Sequence, residues 1–89
     1  MAALPFQIEF VMAERGYVLA RALEGRNFRL VEGTKLGGYP VEPRHLDVPR
    51  AKNPDGTPRT DLFAFLLKDR AQAARLKAGD QVELSDWRE

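Results

Sequence analysis

The sequence predicts an all-β fold, mainly antiparallel, built as one domain over residues 1–89. Three observations carry that expectation. Phe6, Ile8, Phe10 and Met12 alternate with Gln7, Glu9 and Val11, the period-two pattern of a strand with one buried face. Leu62-Phe63-Ala64-Phe65-Leu66-Leu67 is a continuous apolar run of strand length. Short polar stretches containing glycine, such as Ala13-Glu14-Arg15-Gly16 and Glu24-Gly25-Arg26-Asn27, separate the apolar segments as turns do.

The first strand is expected over Pro5 to Met12, with Phe6, Ile8, Phe10 and Met12 facing the core. The Ala13–Gly16 turn leads into a second strand, Tyr17 to Leu23. Phe28-Arg29-Leu30-Val31 then returns with Phe28 and Leu30 on one face, so this region reads as a meander of two hairpins. From Glu32 the texture changes. Gly33, Gly37 and Gly38 cluster, and five of the six prolines fall between Pro40 and Pro58. Proline has no N–H for a ladder and fixes φ, so a Pro/Arg-rich loop is expected over 39–59 and not a central strand or a helix. Only short extended pieces, Tyr39–Val41 and Leu46–Val48, would pair there, at an edge. Asn53-Pro54-Asp55-Gly56 is a turn: proline presets one φ, and Asp-Gly tolerates the left-handed region. A loop this long in a small domain is expected to carry function or to move.

Thr60 to Gly79 supports two local readings. Thr60 or Asp61 could cap a helix, with Leu62, Phe65, Leu66 and Leu76 partly on helical spacing and Gly79 ending it. Leu62 to Leu67 serves equally well as a buried strand. Asp80 to Ser85 is the last strand, with Val82 and Leu84 on one face. Trp87, beyond it, suits either a cover over an open end or a partner contact.

Size and composition narrow the function. A chain this short buries only about 60% of the surface its unfolded form exposes, so a large buried active site is not expected. Fourteen basic and 13 acidic residues leave a net charge of +1, too little for a global field that draws nucleic acid or membrane. The absence of cysteine excludes disulfides, thiolate metal sites and a cysteine nucleophile. Met1-Ala2-Ala3-Leu4 does not read as a signal peptide, and no apolar run approaches the ~20 residues of a membrane helix, so a cytoplasmic location is expected.

His45, the only histidine, lies in Pro43-Arg44-His45-Leu46-Asp47 with no serine or threonine nearby to act as nucleophile. It reads as an exposed loop residue. Asp47, Asp55 and Asp61 lack the spacing of a calcium loop. Phe28, Phe63 and Phe65 read as core. No enzymatic activity, metal or cofactor is expected. The best basic patch is Arg44, His45, Arg50, Lys52 and Arg59, offset by Asp47 and Asp55. Such a patch suits phosphates through counterion release, and Tyr39 would add a stacking face. The expectation is a non-enzymatic binding module contacting RNA or a translation-associated partner through this loop. The alternative is a protein-interaction or self-associating module with no nucleic-acid binding.

A family resemblance points the same way. Phe6, Ile8, Glu9, Val11, Arg15, Gly16 and Val18 resemble the opening strand, Arg-Gly turn and second strand of the β-barrel that follows the GTPase domain in elongation factor Tu and related translation factors. Phe65, Leu66, Leu67, Lys68, Gly79 and Val82 are similar to that barrel's last part. The resemblance implies a small antiparallel β-barrel. It also resolves the ambiguous segment into a strand at Asp61–Leu67 and one short helical turn near residues 71–77, Ala71 to Lys77. On this reading Leu62–Leu67 closes a sheet against the first segment of the chain. The family's pocket for an aminoacylated RNA end implies roles for Glu9 and Val11. The family commonly carries aspartate where Phe10 stands and asparagine near the position of Leu62. No phosphate-binding Gly-x-x-x-x-Gly-Lys-Ser/Thr loop is present, so the barrel would stand without a GTPase domain.

Overall fold

A computed structural model describes residues 3–89. Six strands run in chain order: β1 Leu4–Met12, β2 Tyr17–Ala22, β3 Lys35–Leu36, β4 Tyr39–Asp47, β5 Leu62–Leu67 and β6 Gln81–Ser85. They form a closed antiparallel barrel in the order β1-β2-β5-β4-β3-β6. One 3-10 turn, Arg70–Arg75, joins β5 to β6, slightly earlier than the expected 71–77. The mainly β barrel with one short helical turn is therefore the observed architecture.

Alternation builds the first half of β1: Leu4, Phe6 and Ile8 are buried. The register then slips. Ile8 pairs with Ala20 but Phe10 pairs with Leu19, which leaves Glu9 as an extra residue, a β-bulge. One extra residue exchanges the two faces of a strand. Val11 consequently packs against the core, while Phe10 is 55% exposed and Met12 36% exposed. The expected inward placement of Phe10 and Met12 is corrected by this bulge.

β5 is a strand, but its neighbours are β2 and β4. It does not lie against the first segment; β6 does, with Leu4 opposite Leu84 and Phe6 opposite Val82. Phe65 and Leu67 join the core. Leu62 and Ala64 have the opposite parity and face outward, yet both are buried. A strand covered on both sides reads as an unbroken apolar run.

The expected proline-rich loop also needs correction, because Tyr39–Asp47 is a nine-residue strand. Pro40 lends its carbonyl to the Lys68 N–H at 3.0 Å, a role that needs no N–H of its own. Pro43 falls where pairing is suspended. Between the pairs Val41–Leu67 and Leu46–Phe65, β4 has Glu42, Pro43, Arg44 and His45 where β5 has only Leu66. The missing donor therefore costs no ladder bond.

Phe28–Val31 forms no strand. A single bridge joins Arg29 to Arg88, with N–H to carbonyl distances of 2.7 and 3.1 Å. The apolar side chains still enter the core from this irregular chain. The Phe28 ring stands edge-on to Phe6 at 5.6 Å and to Phe63 at 5.0 Å, and Leu30 is buried. The segment after β6 seals the same end. Thr34 Oγ1 donates to the Asp86 carbonyl at 2.8 Å and accepts the Val31 N–H at 3.0 Å. Trp87 is fully buried, with the Arg26 guanidinium 5.0 Å above its ring. The 3-10 turn plugs the other side. Asp69 caps it by accepting the Ala71 N–H at 3.0 Å, and Ala73 and Leu76 pack into the core. Each large side chain buried in this way contributes roughly 1.5–3 kcal/mol.

Candidate binding site

The chain from 48 to 59 leaves the barrel as an arm. Its centre is the Asn-Pro-Asp-Gly turn expected from the sequence. Asn53 N–H donates to the Thr57 carbonyl at 2.8 Å, Gly56 N–H to the Asn53 carbonyl at 2.9 Å and Arg59 N–H to the Ala51 carbonyl at 2.8 Å, and Lys52 bridges to Pro58. Gly56 takes φ 90°, open to glycine at no steric cost. Asp55 accepts the Thr57 hydroxyl at 2.6 Å and the Thr57 N–H at 3.0 Å. These bonds favour the ionised form, the hydroxyl bond most, and hold the Asp55 carboxyl below its ordinary value.

The arm is pinned at its base. Arg59 donates from Nε to Asp61 at 3.1 Å and from its terminal nitrogen to Glu9 at 3.5 Å. Glu9 also lies 3.9 Å from Arg21, which donates to Gln7 at 3.0 Å. Glu9 can serve here because it is the bulge residue of β1. The outer-face row Gln7–Arg21–Leu62 lies beside this bulge. The Arg59 hydrogen bond lowers the Asp61 carboxyl, and in return Asp61 raises Arg59.

A depressed carboxylate stabilises the folded state above its unfolded pKa, and that stability is lost as pH falls through the folded value. The Arg59–Asp61 contact is therefore complete above about pH 4 and released in more acidic solution. Carbon-detected NMR titration is expected to place the Asp61 midpoint below 3.8, and Arg59→Ala is expected to return it towards 3.8. A midpoint unmoved by Arg59→Ala would exclude the pin. The pair is exposed to solvent, so water and salt screen it and it fixes the position of the arm more than it stabilises the fold.

Against the arm lies an open concavity of about 360 Å³, walled by Val48, Pro49, Ala51 and Pro58 and rimmed by Arg50, Lys52 and Arg59. Val48 is 58% exposed, the most exposed of the large apolar side chains. A second hollow, about 530 Å³, runs along the outside of the first hairpin from Phe10 to Arg15.

The expected site residues divide into four groups. Arg50, Lys52 and Arg59 meet on the arm. Arg44 and His45 are exposed on the β4 bulge beside Leu66. Among the described residues, Arg44, Arg50 and Lys52 enter no ion pair with a carboxylate. Glu9 is tied to Arg59 and Arg21. Val11 and Tyr39 are half-buried and pack against the core. Sequence reasoning missed the apolar walls and the partners Arg21 and Asp61. A signal for the walls existed: Pro49 and Pro58 flank the turn on its two sides, as the two legs of a hairpin would.

No family model, no curated protein and no solved structure matches the chain. Among the described residues no helix is long and apolar enough to cross a membrane.

Proposed function

We propose that the chain is a non-enzymatic binding module whose contact surface is the arm, and that its partner is a protein. The exposure of Val48 beside a preformed apolar concavity carries this reading. A rigid barrel displaying function on a connecting segment is a common division of labour. The exposed Phe10 and Met12 add apolar area on the outer wall. RNA is the second reading, favoured by the cations Arg44, Arg50 and Lys52. Two of its proposed contacts are less available, because Arg59 is engaged by two carboxylates and Tyr39 is half-buried against the core. The likeness of the Ile8-Glu9 and Arg15-Gly16 segments to the translation-factor barrel makes the translation apparatus the first place to look for either partner.

A photo-cross-linking residue placed at Val48 tests the choice. Adducts from cell extract that protease removes and nuclease spares are the expected result; nuclease-sensitive adducts would favour RNA. The absence of adducts of either kind would reject the arm as a contact surface. Sedimentation of the purified chain across concentrations reports whether the protein partner is another copy.

A further inference from the structure

We propose that the concavity of the arm is a docking site for an acidic peptide segment carrying an apolar side chain. This inference rests on the protein-partner reading and names the chemistry of that partner. The lining residues comprise four apolar side chains and three cations, with no carboxylate among them. The whole chain is nearly balanced in charge, so this bias is local. Asp55, the one acid within residues 48–59, is turned into the tip by Thr57. Arg59 already shares its charge with Glu9 and Asp61 and serves as a fixed wall. Arg50 and Lys52, both exposed and, among the described residues, in no ion pair with a carboxylate, supply the free positive charge at the rim of the concavity.

The volume lies near the lower end of ligand pockets and suits one anchoring side chain. Pro49 and Pro58 fix φ in the two legs, and the backbone bonds across the hairpin hold the walls apart. Little order is left to impose on binding, which favours affinity. Single-stranded RNA fits less well, since it is held on aromatic platforms and residues 48–59 contain no aromatic residue. A second copy fits less well too, because a stable dimer covers about 800 Å² on each partner and this concavity is formed by seven residues.

Fluorescence anisotropy with a labelled glutamate-rich peptide containing one central leucine and one tryptophan provides the test. Three comparison probes are the same peptide with lysine for glutamate, an all-glutamate peptide, and an oligouridylate of equal charge. The glutamate-leucine-tryptophan peptide is expected to bind tightest and to weaken as salt rises. Arg50→Glu with Lys52→Glu is expected to weaken it about tenfold or more, and Val48→Asp by a similar factor. Arg75→Glu, on the 3-10 turn, is expected to leave it unchanged. All three substituted side chains on the arm are exposed, and unchanged thermal melting confirms that the fold is intact. Equal binding of the lysine peptide, tighter binding of oligouridylate, or indifference to the arm substitutions would each overturn the assignment. If Val48 still cross-links to protein while the acidic peptide does not bind, the peptide chemistry is wrong and the module reading stands. If it cross-links to nothing, both fall.

Discussion

Replacing Trp87 by alanine is expected to cost about 3–5 kcal/mol, the range for deleting a large buried aromatic side chain. A chain of this length commands a total stability of only roughly 4–13 kcal/mol, at 0.05–0.15 kcal/mol per residue. The variant should therefore be partly unfolded at room temperature, with its urea midpoint shifted steeply downward in circular dichroism. Trp87 is the only tryptophan, which makes the native protein its own reporter. Its emission should be blue-shifted and shielded from acrylamide, as befits complete burial. The position near the end of the chain makes the result informative, because terminal residues usually fray unless they are tied down. Here they are tied: Arg88 exchanges two backbone bonds with Arg29, Thr34 holds the Asp86 carbonyl, and Arg26 lies over the indole ring and also pairs with Glu89 at 3.2 Å. A variant that melts within a degree or two of the parent would show that Trp87 is not part of the core.

Gly16→Ala is expected to cost about 2–4 kcal/mol through two effects that add. Gly16 has φ 73°, a region that costs other L-residues roughly 1–2 kcal/mol. An added Cβ would also stand 2.7 Å from Arg70 Cγ and 3.1 Å from Arg70 Cα. The second of those atoms is backbone, so relief requires moving the 3-10 turn that carries Ala73 and Leu76 into the core. Overpacking of that kind costs about 1–3 kcal/mol. Gly25→Ala is the matched control: its added Cβ meets nothing within 4 Å and its φ is ordinary. That change should stay within about 0.5 kcal/mol. Equal melting points for the two variants would contradict the close approach at Gly16.

The first strand was legible because its burial is one-sided, whereas the unbroken apolar run of β5 suited a helix as well as a strand until the family resemblance was set beside it. Leu4, Phe6 and Ile8 alternate because one face of β1 meets the core, and Leu62–Leu67 is apolar throughout because both faces of β5 are covered. What could not be read was register. The bulge at Glu9 leaves no mark on the pattern, since Phe10 and Met12 continue an alternation that the backbone no longer obeys. The prolines of β4 misled for a related reason. A proline argues against a paired N–H and says nothing about the pairing of its neighbours, and Pro43 sits where the ladder is already interrupted. Phe28 and Leu30 imitate a strand while their side chains are placed by a connection with a single bridge. Trp87 fitted two readings because nothing local tells a sealing side chain from an exposed one.

The candidate site was half legible. The cations of the middle segment and the Asn-Pro-Asp-Gly turn stood out, and Arg50, Lys52 and Arg59 do converge. The neutralisation of Arg59 did not stand out, because it needs Glu9, fifty residues away in sequence, delivered by the very bulge that the pattern conceals. Tyr39 looked available for stacking only while its segment was taken for a loop. Once Tyr39–Asp47 is a barrel strand, its ring packs against the core and only part of it stays open to solvent.

Because β1 and β6 are neighbours, with Leu4 opposite Leu84, the places where the chain enters and leaves the barrel lie about 5 Å apart. A host protein could carry this unit inside one of its surface loops with almost no stretch of its own backbone. Reopening the chain at Asp55-Gly56 would likewise keep every pairing of the six strands, since both residues lie at the tip of the arm, while a link between the ends would have to start beyond Arg88, which stays paired with Arg29.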